Sequence, residues 1–467
     1  MNFLPSLPFA HALLARQDLP IPAWLFAWGA STVLIVSFVV LSLAWKTPRF
    51  EHERWRPLPG AFWRVLLSLP TQVICGAIGV ALLGGAIYAG LRGTEAPDRN
   101  LALTFFFVTA FLGFPALSVL LGDVFRPFNP WRALGRACGA GFTVVAGQHS
   151  ARLRYPEWLG RWPAAAGLVA FVWLEIVYGS SGGVAVGLAP HPAAIAALAY
   201  SAYTLAMMAL FGVEKWCERG EIFSVYFGMF AQLGIFEARE GRLGRRRPFS
   251  AATGWAKVPG SLAMVVGSIG TTSFDGAQEG VLKGAIEDTF SRLADAGMNL
   301  TSALRLTDSL FIAVCLAAIT LVYLIGVRGM RTIPGAPSFQ ALRSGFAHTL
   351  IPIAFAYLLA HYFSLFVFQE QAQFTYLLSD PLGTGTTDLF GTASGGIDFR
   401  VLSANAIWYV QVGALVVGHV AGLTLAHDRA VVYWGDYREA TRSQYWMLAV
   451  MVAFTCFGLY LLSVSNQ

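Results

Sequence analysis

The sequence predicts an all-α protein, a polytopic bundle of about ten transmembrane helices with both the N-terminus and the C-terminus on the outer side. Three observations support this fold class. Of the 467 residues, 56% are hydrophobic and only 12% are charged, whereas a soluble domain carries about 25% charged residues. Long apolar segments recur from one end of the chain to the other. Basic residues are concentrated in alternate connecting segments.

A helix that crosses a bilayer needs about 20 mostly apolar residues. The sixth such segment is short and rich in Gly. Because the segments follow one another along the whole chain, we expect one integral membrane domain over residues 1–467. The predicted spans are 22–45, 68–91, 100–121, 162–180, 192–212, 258–273, 308–327, 346–368, 404–426 and 444–464.

The orientation follows from the positions of Lys and Arg, which are retained on the cytoplasmic side of membrane proteins. With the N-terminus outside, the cytoplasmic loops hold 25 of the 32 basic residues and the outer segments hold 7. An even number of spans then places both termini outside. The cytoplasmic loops in this arrangement are 46–67, 122–161, 213–257, 328–345 and 427–443.

Two of the predicted cytoplasmic loops, 122–161 and 213–257, are long. The first contains GDVFRPFNPWRALGRACG, in which the prolines end any helix that continues from the third span. We expect Trp131 and the three arginines of this stretch to anchor the loop at the level of the lipid headgroups. The second contains GEIFSVYFGMFAQLGIF at 220–236, which is too short for a span and predicts an interfacial or re-entrant helix.

The longest predicted outer loop covers residues 369–403 and is rich in Gly, Thr and Asp. A loop of this length is usually functional or disordered. The interspersed Phe, Tyr and Leu residues favour an ordered cap over the outer face.

Ionisable side chains inside a bilayer are costly, and each one is a candidate functional group. Counting 1.5 Å per residue along each span places Glu175, His361 and Gln411 at one level in the outer half of the membrane, with Asp275 at the outer end of the sixth span. We expect an outward-facing polar cavity in which Glu175 and His361 respond to a proton or cation. Gln411, Asp275 and exposed backbone of the Gly-rich sixth span would complete its wall. The alternative is that these groups merely join helices.

The histidines on the eighth and ninth spans suggest a second hypothesis, because intramembrane histidines bind haem in many redox proteins. His348, His419 and His427 are the candidate haem or metal ligands, near the inner face. His361 lies too far from His419 in depth to share one haem with it. For His427 the simpler interpretation is that the run His427–Asp428–Arg429 ends its helix, with cationic groups complementing the dipole. We expect no resident cofactor and keep haem or metal as the alternative.

Several catalytic signatures are absent from the sequence. It has no GxxxxGK[ST] phosphate loop, no HExxH and no GxSxG. We therefore expect a protein that is not an enzyme, best described as a secondary transporter or permease for a small solute or ion. The alternatives are a membrane redox or metal-handling subunit and a non-catalytic assembly partner that docks another membrane subunit. The basic excess lies in loops between apolar segments, so that anionic lipid of the bilayer, and no nucleic acid, is its expected partner.

Stretches of the chain resemble a bacterial family of uncharacterised multi-spanning membrane proteins. The resemblance implies a multi-pass protein of the bacterial plasma (inner) membrane. Since that family has no assigned activity, the resemblance implies an architecture and no site. The stretches are QDLPIPAWLFAWGAS (17–31), FRPFNPWRALGR (125–136), YPEWLGRWPAAAG (155–167), TSFDG (272–276), SDPLGTGTTDLFGT (379–392) and IWYVQVGALVVGHVAGLTLAHDRA (407–430).

Overall fold

The computed structural model describes residues 23–50, 55–146, 153–181, 184–185 and 187–465, and these form a helical bundle. Residues 147–152 of the predicted loop 122–161 and both chain termini lie outside the described residues. The longer helices are α1 (Ala23–Ala44), α2 (Leu69–Arg92), α3 (Leu101–Leu121), α4 (Pro130–Ala146), α5 (Trp162–Tyr178), α6 (Pro190–Phe211), α7 (Ile222–Ala231), α8 (Ser261–Gln278), α9 (Lys283–Asp295), α10 (Leu300–Met330), α11 (Phe339–Leu377), α12 (Ala404–Trp434) and α13 (Tyr445–Ser465). Short helices cover Ala61–Leu66, Phe125–Phe128, Val213–Arg219, Ala252–Trp255 and Tyr437–Ser443.

The described strands are few and short. A three-stranded antiparallel sheet has the order β1-β5-β4, and β2 pairs with β3. The β4–β5 hairpin turns at Glu240 and Gly241, which both have positive φ, as a two-residue type I′ turn requires. The strands are β1 (Arg56–Pro57), β2 (Ser180–Ser181), β3 (Val184–Ala185), β4 (Phe236–Arg239) and β5 (Arg242–Arg245).

Helices occupy all ten segments that the sequence marks as apolar. Six of them, α2, α3, α6, α10, α11 and α12, are long and apolar enough to cross a membrane. A seventh is possible if Tyr437–Ser443 and the helix after it, which meet at an angle of 41°, form one span. The remaining apolar helices found are shorter, and include α5, α7 and the Trp28–Ala44 part of α1. The chain is thus an all-α bundle with several helices able to cross a membrane.

The sixth segment differs from its prediction. It forms the uninterrupted 18-residue helix α8, which continues to Gln278, and almost all of its side chains are buried. Small residues permit this, because helices can approach closely where side chains are short. A Cβ atom on Gly270 would lie 2.7 Å from Leu316 Cδ2 of α10. The expectation of unwound backbone with free carbonyl groups is wrong, since the carbonyls are used within a regular helix.

The helix predicted for 220–236 forms as α7, but it is shorter and does not lie on a lipid surface. Its ten residues are mostly buried within the protein, among them Tyr226, Phe227 and Phe230. An interfacial helix would leave one face to lipid and one to water. Burial on both faces therefore favours the re-entrant form of the prediction over the interfacial one.

The outer loop begins later than predicted, because α11 extends to Leu377. The remaining loop, 378–403, is held by its own side chains. Asp380 accepts hydrogen bonds from the Gly385 amide (2.6 Å) and the Thr387 hydroxyl (2.5 Å). Ser379 Oγ donates to Asp388 Oδ1 at 2.8 Å. Such carboxylate-to-amide bonds fix a loop that has little apolar surface of its own.

The arginine and tryptophan side chains of FRPFNPWRALGR have partners within the protein. Trp131 is buried and donates from Nε1 to Ser201 Oγ of α6 at 2.8 Å. Arg126, Arg132 and Arg136 converge on Glu214 at 3.2, 3.0 and 2.6 Å. Burial alone would raise the pKa of Glu214, but hydrogen bonding and charge pairing with Arg132 hold that pKa below its ordinary value. The anchor prediction is therefore wrong for Trp131 and Arg132, which are buried, and stays a prediction for the half-exposed Arg126 and Arg136.

Connecting segments that were predicted to share one side of the membrane meet at one end of the bundle. Strand β1 from loop 46–67 pairs with β5 from loop 213–257. Asp428, near the last turns of α12, accepts hydrogen bonds from Trp45 Nε1 at 2.8 Å and from the Arg49 amide at 2.6 Å. Two segments that were predicted to lie on the outer side also meet. The Thr94 amide of one donates to the Leu382 carbonyl of the other at 2.8 Å.

Candidate functional site

Asp275 forms the centre of a buried polar cluster in the last turn of α8. Its side chain is 5% exposed. Oδ2 accepts a hydrogen bond from the Tyr362 hydroxyl at 2.7 Å and lies 2.8 Å from His361 Nε2, while Oδ1 accepts from Gln278 Nε2 at 2.9 Å. We call Asp275, Gln278, His361, Tyr362 and Glu175 the Asp275 cluster. Each carboxylate oxygen of Asp275 thus has a partner supplied by the protein.

His361 is positioned by the glycine that follows Asp275. A Cβ atom on Gly276 would lie 3.3 Å from His361 Nδ1, so that the ring packs directly on this bare stretch of α8. The His361 and Tyr362 rings meet edge to face, with centroids 4.5 Å apart. When Asp275 is ionised, the tautomer that donates from Nε2 is the favoured one.

Glu175 brings a second carboxyl group to the same region. It lies in α5 within a π-helical segment, Leu174–Tyr178, and is half-buried. Its charge interacts unfavourably with that of Asp275. Among the described residues it makes no hydrogen bond or ion pair. π-Helical turns occur often at functional sites. Two carboxylates in a poorly solvated site repel, which a bound proton or cation relieves.

The structure joins Asp275, His361 and Glu175 as one region, as the depth estimate predicted, but it does not bring Gln411 to them. Gln411 is buried on α12, and no hydrogen bond connects it with the Asp275 cluster among the described residues. The reason is the helical period. Ala360 of α11 packs with Leu415 of α12, whereas the next residue, His361, points to α8. Successive residues project about 100° apart.

Two members of the cluster were missed from the sequence. Gln278 lies beyond the predicted end of the sixth span, and Tyr362 directly follows His361. A hydroxyl beside an intramembrane histidine is a signal that could have been used. Tyr178, one turn from Glu175, is not part of the Asp275 cluster. Its carbonyl accepts a hydrogen bond from Arg305 Nη2 at 2.6 Å, and its ring packs under that guanidinium group.

The three histidines proposed as haem or metal ligands are all buried. His419 Nδ1 bonds the Leu415 carbonyl at 2.7 Å, and His427 Nε2 lies 3.1 Å from the Trp45 carbonyl. One ring nitrogen of each histidine, including Nδ1 of His348, lacks a hydrogen-bond partner among the described residues. The described chain contains no group of three or more His, Cys, Asp or Glu residues that could hold a metal ion.

The run His427–Asp428–Arg429 does not end its helix, because α12 continues to Trp434. His427 and Asp428 are buried, and Arg429 lies over the Tyr433 ring at 4.5 Å from its centroid. The expected complement to a helix dipole is therefore wrong. His427 and Asp428 bond α12 to the 45–50 segment, whereas Arg429 contacts a neighbouring residue of α12 itself.

An apolar cavity of about 1060 Å³ lies beside the Asp275 cluster, bounded by α2, α3, α4, α5, α6, α7 and α11 and by the short helix Phe125–Phe128. Its walls are rich in aromatic rings, and it is half open towards the outside of the bundle. We call it the aromatic cavity. It shares α5 and α11 with the Asp275 cluster. Its aromatic lining includes Phe105, Phe114, Phe171, Phe223, Phe366 and Phe374.

Glu221, another carboxylate, is fully buried and holds the start of α7. It accepts hydrogen bonds from the Tyr200 hydroxyl at 2.6 Å and from Asn129 Nδ2 at 3.0 Å. It also caps α7 by accepting from the amides of Phe223 and Ser224 at 3.0 and 2.7 Å. A carboxylate with this many donors at a helix N-terminus is a structural group. Sequence reasoning missed it because it treated Glu221 as a flanking charge.

Comparisons with models of protein families, with curated proteins and with solved structures gave no match. The site is therefore interpreted from its own geometry.

Proposed function

We propose that this protein is a secondary transporter or permease for a small solute or ion, with the Asp275 cluster as its proton- or cation-responsive site. The observation that carries the proposal is the Asp275–His361 pair, at 2.8 Å, in the interior of a bundle whose helices can cross a membrane. Ionisable groups in such positions are costly and typically mark ion pathways and proton relays.

The arrangement around the pair supports coupling. With Asp275 and His361 charged, the pair is neutral and Glu175 adds a negative charge to the site. A proton or cation that arrives there removes the repulsion between the two carboxyl groups. The binding of one charge would thereby alter how α5, α8 and α11 attract one another. Of these three helices, α5 and α11 line the aromatic cavity, and α8 packs against both of them.

Transport is tested with purified protein in liposomes under an imposed inward proton gradient. The liposomes receive a mixture of small metabolites, and mass spectrometry measures what accumulates inside. We expect a gradient-dependent solute, whose uptake Asp275→Asn lowers by about tenfold or more, because the substitution removes the ionisable partner of His361. Glu287→Gln, which removes one exposed charge on α9, is the matched control and should transport like the wild type.

Two outcomes would contradict the proposal. One is that no solute accumulates above the level of protein-free liposomes. The other is that Asp275→Asn, purified as a monodisperse protein, accumulates solute as fast as the wild type does.

We further propose that all ten apolar segments span a bacterial inner membrane with both termini outside. The meeting of loop 46–67 with loop 213–257 at one end of the bundle supports the alternation of sides. A C-terminal alkaline phosphatase fusion should be active and the matching green fluorescent protein fusion dark. A bright fluorescent fusion with an inactive phosphatase fusion would place the C-terminus in the cytoplasm and exclude this topology.

A further inference from the structure

The aromatic cavity has a volume of about 1060 Å³, as large as the pockets that enclose drug-sized ligands. Its walls come from seven of the long helices and the short helix Phe125–Phe128, and most of the atoms that face it are carbon. It opens towards the outside of the bundle, where Phe374 is 69% exposed. A ligand that enters from the lipid phase therefore has both a route and a volume to fill.

One charged side chain lines the described walls of this cavity, and it is acidic. Glu370 lies on α11, and no Lys, Arg, His or Asp residue is among the lining residues. The nearby cations Arg126, Arg132 and Arg136 are outside the lining and are paired with Glu214. The field inside the cavity is therefore set by one carboxyl group in apolar surroundings, where charges are weakly screened.

Glu370 also lacks the hydrogen bonds that a buried carboxyl group needs. Neither Oε1 nor Oε2 makes a hydrogen bond of normal geometry among the described residues, and the neighbouring hydroxyl of Thr109 on the facing helix α3 interacts with the carboxyl group without forming one. Leaving such groups unsatisfied is unfavourable, and more so for a charge than for a neutral group. Asp275, on the other side of α11, has all of its partners supplied by the protein. Apart from Thr109, the described protein offers the Glu370 carboxyl group no hydrogen-bond donor, and a ligand could supply one or provide a counter-charge.

Aromatic rings flank the carboxyl group on its own helix. Phe366 and Phe374 stand four residues before and after Glu370, so that the three side chains form one stripe along the cavity wall. The faces of aromatic rings attract cations, and more strongly where water is excluded. A carboxylate between two rings in an apolar volume has the chemistry of a site for an organic cation.

We propose that the aromatic cavity binds a lipophilic organic cation, such as a quaternary ammonium or phosphonium compound, with Glu370 as its counter-ion. The apolar groups of the ligand fill the cavity, and its charge lies between Phe366, Phe374 and the Glu370 carboxylate, which a side-chain rotation turns towards it. A neutral acyl chain would fill the same volume but would leave Glu370 without a partner. This site is distinct from the Asp275 cluster, and its occupancy does not depend on transport.

The test is equilibrium binding of tritiated tetraphenylphosphonium to the full chain in maltoside detergent, with protein-free micelles as the blank. Saturable binding is expected. Glu370→Gln should weaken it by about tenfold or more, since removing one partner of a desolvated charge pair is costly. Glu287→Gln should bind like the wild type. Tetraphenylborate, which has the same shape and the opposite charge, should not compete.

A second variant tests the volume independently of the charge. Ala197→Phe adds a ring from α6 into the cavity and leaves Glu370 in place, and it should also abolish saturable binding. Each variant is accepted only if it is monodisperse and melts at a temperature no lower than that of the wild type. The absence of saturable binding to the wild type, equal affinity in Glu370→Gln, or equal competition by tetraphenylborate would overturn the proposal. The last result would show a cavity that takes any lipophile.

Discussion

The Asp275 cluster and the aromatic cavity lie on opposite sides of the same helices. They differ in whether the protein supplies hydrogen bonds to the acidic group that each contains. Asp275 is bonded by His361, Tyr362 and Gln278. Glu370, two turns further along α11 than His361, has no hydrogen-bond partner among the described residues. A buried acid that the protein satisfies is held in place and adds to stability. A buried acid that the protein leaves unsatisfied lowers stability and is available to a ligand.

Glu221 is the extreme case of a satisfied acid, and its removal should have the largest effect on stability. Glu221→Ala leaves the donors of Asn129, Tyr200 and the first turn of α7 without a partner in a buried site. We expect a loss of about 3–5 kcal/mol, because several buried neutral donors lose their acceptor at about 1–3 kcal/mol each and the cap of α7 is lost. Steric-trapping or denaturant unfolding in detergent measures it.

The control for this substitution is Glu287→Ala, an exposed position on α9, which should change stability by no more than about 0.5 kcal/mol. If Glu221→Ala changed stability as little as Glu287→Ala does, α7 would not depend on its cap. Hydrogen bonding of an acid by the protein would then not be a sign that the acid stabilises the fold.

The comparison between Asp275 and Glu370 is tested most directly by a pair of variants. Asp275→Ala leaves the hydroxyl of Tyr362 and the side chain of Gln278 without their acceptor, and should lower stability by about 2–3 kcal/mol. Glu370→Gln removes a charge that has no partner, and should leave stability unchanged or raise it. Unfolding of both variants under one set of conditions measures the difference.

Equal destabilisation in the two variants would remove the contrast on which the cavity proposal is built. It would mean that Glu370 is bonded by water or lipid as firmly as Asp275 is bonded by the protein. The two sites would then have to be described as one polar region spanning α11.

Much of the fold could be predicted from the sequence, because the span of an apolar helix depends on local composition. All ten apolar segments are helices, and the depth estimate placed Glu175, Asp275 and His361 in one region. Side-chain direction was beyond that estimate. It treated Gln411 as a neighbour of His361, although Gln411 lies on α12 and His361 projects from α11 towards α8.

The cavity could not be predicted, because it is defined by what the helices leave open between them. Glu370 was assigned to the outer loop, since the predicted eighth span ended at residue 368 and the helix continues for nine residues more. The failure at Trp131 has a related cause. A Trp near arginines fits a headgroup anchor in composition alone, and only its bond to Ser201 shows that it is buried.

The smallest effect is expected at Glu214, a third kind of acid, which is bonded by three arginines yet half-exposed. Its pKa in the folded protein is lowered from an ordinary 4.5, with pairing to Arg132 outweighing burial. A lowered folded-state pKa adds stability above pH 4.5 that is lost as the pH falls through the lower folded value. Glu214→Gln should therefore lose less stability than the wild type on acidification below pH 4.5.

Melting temperatures of wild type and Glu214→Gln, measured in detergent between neutral pH and the lowest pH at which both remain folded, give the difference. Solvent and salt screen an exposed pair, so that the effect should be small and should shrink further at high ionic strength. Parallel curves for the two proteins would mean that the arginines are satisfied without Glu214. In that case exposure, and not the number of partners, would decide which acids of this protein contribute to its stability.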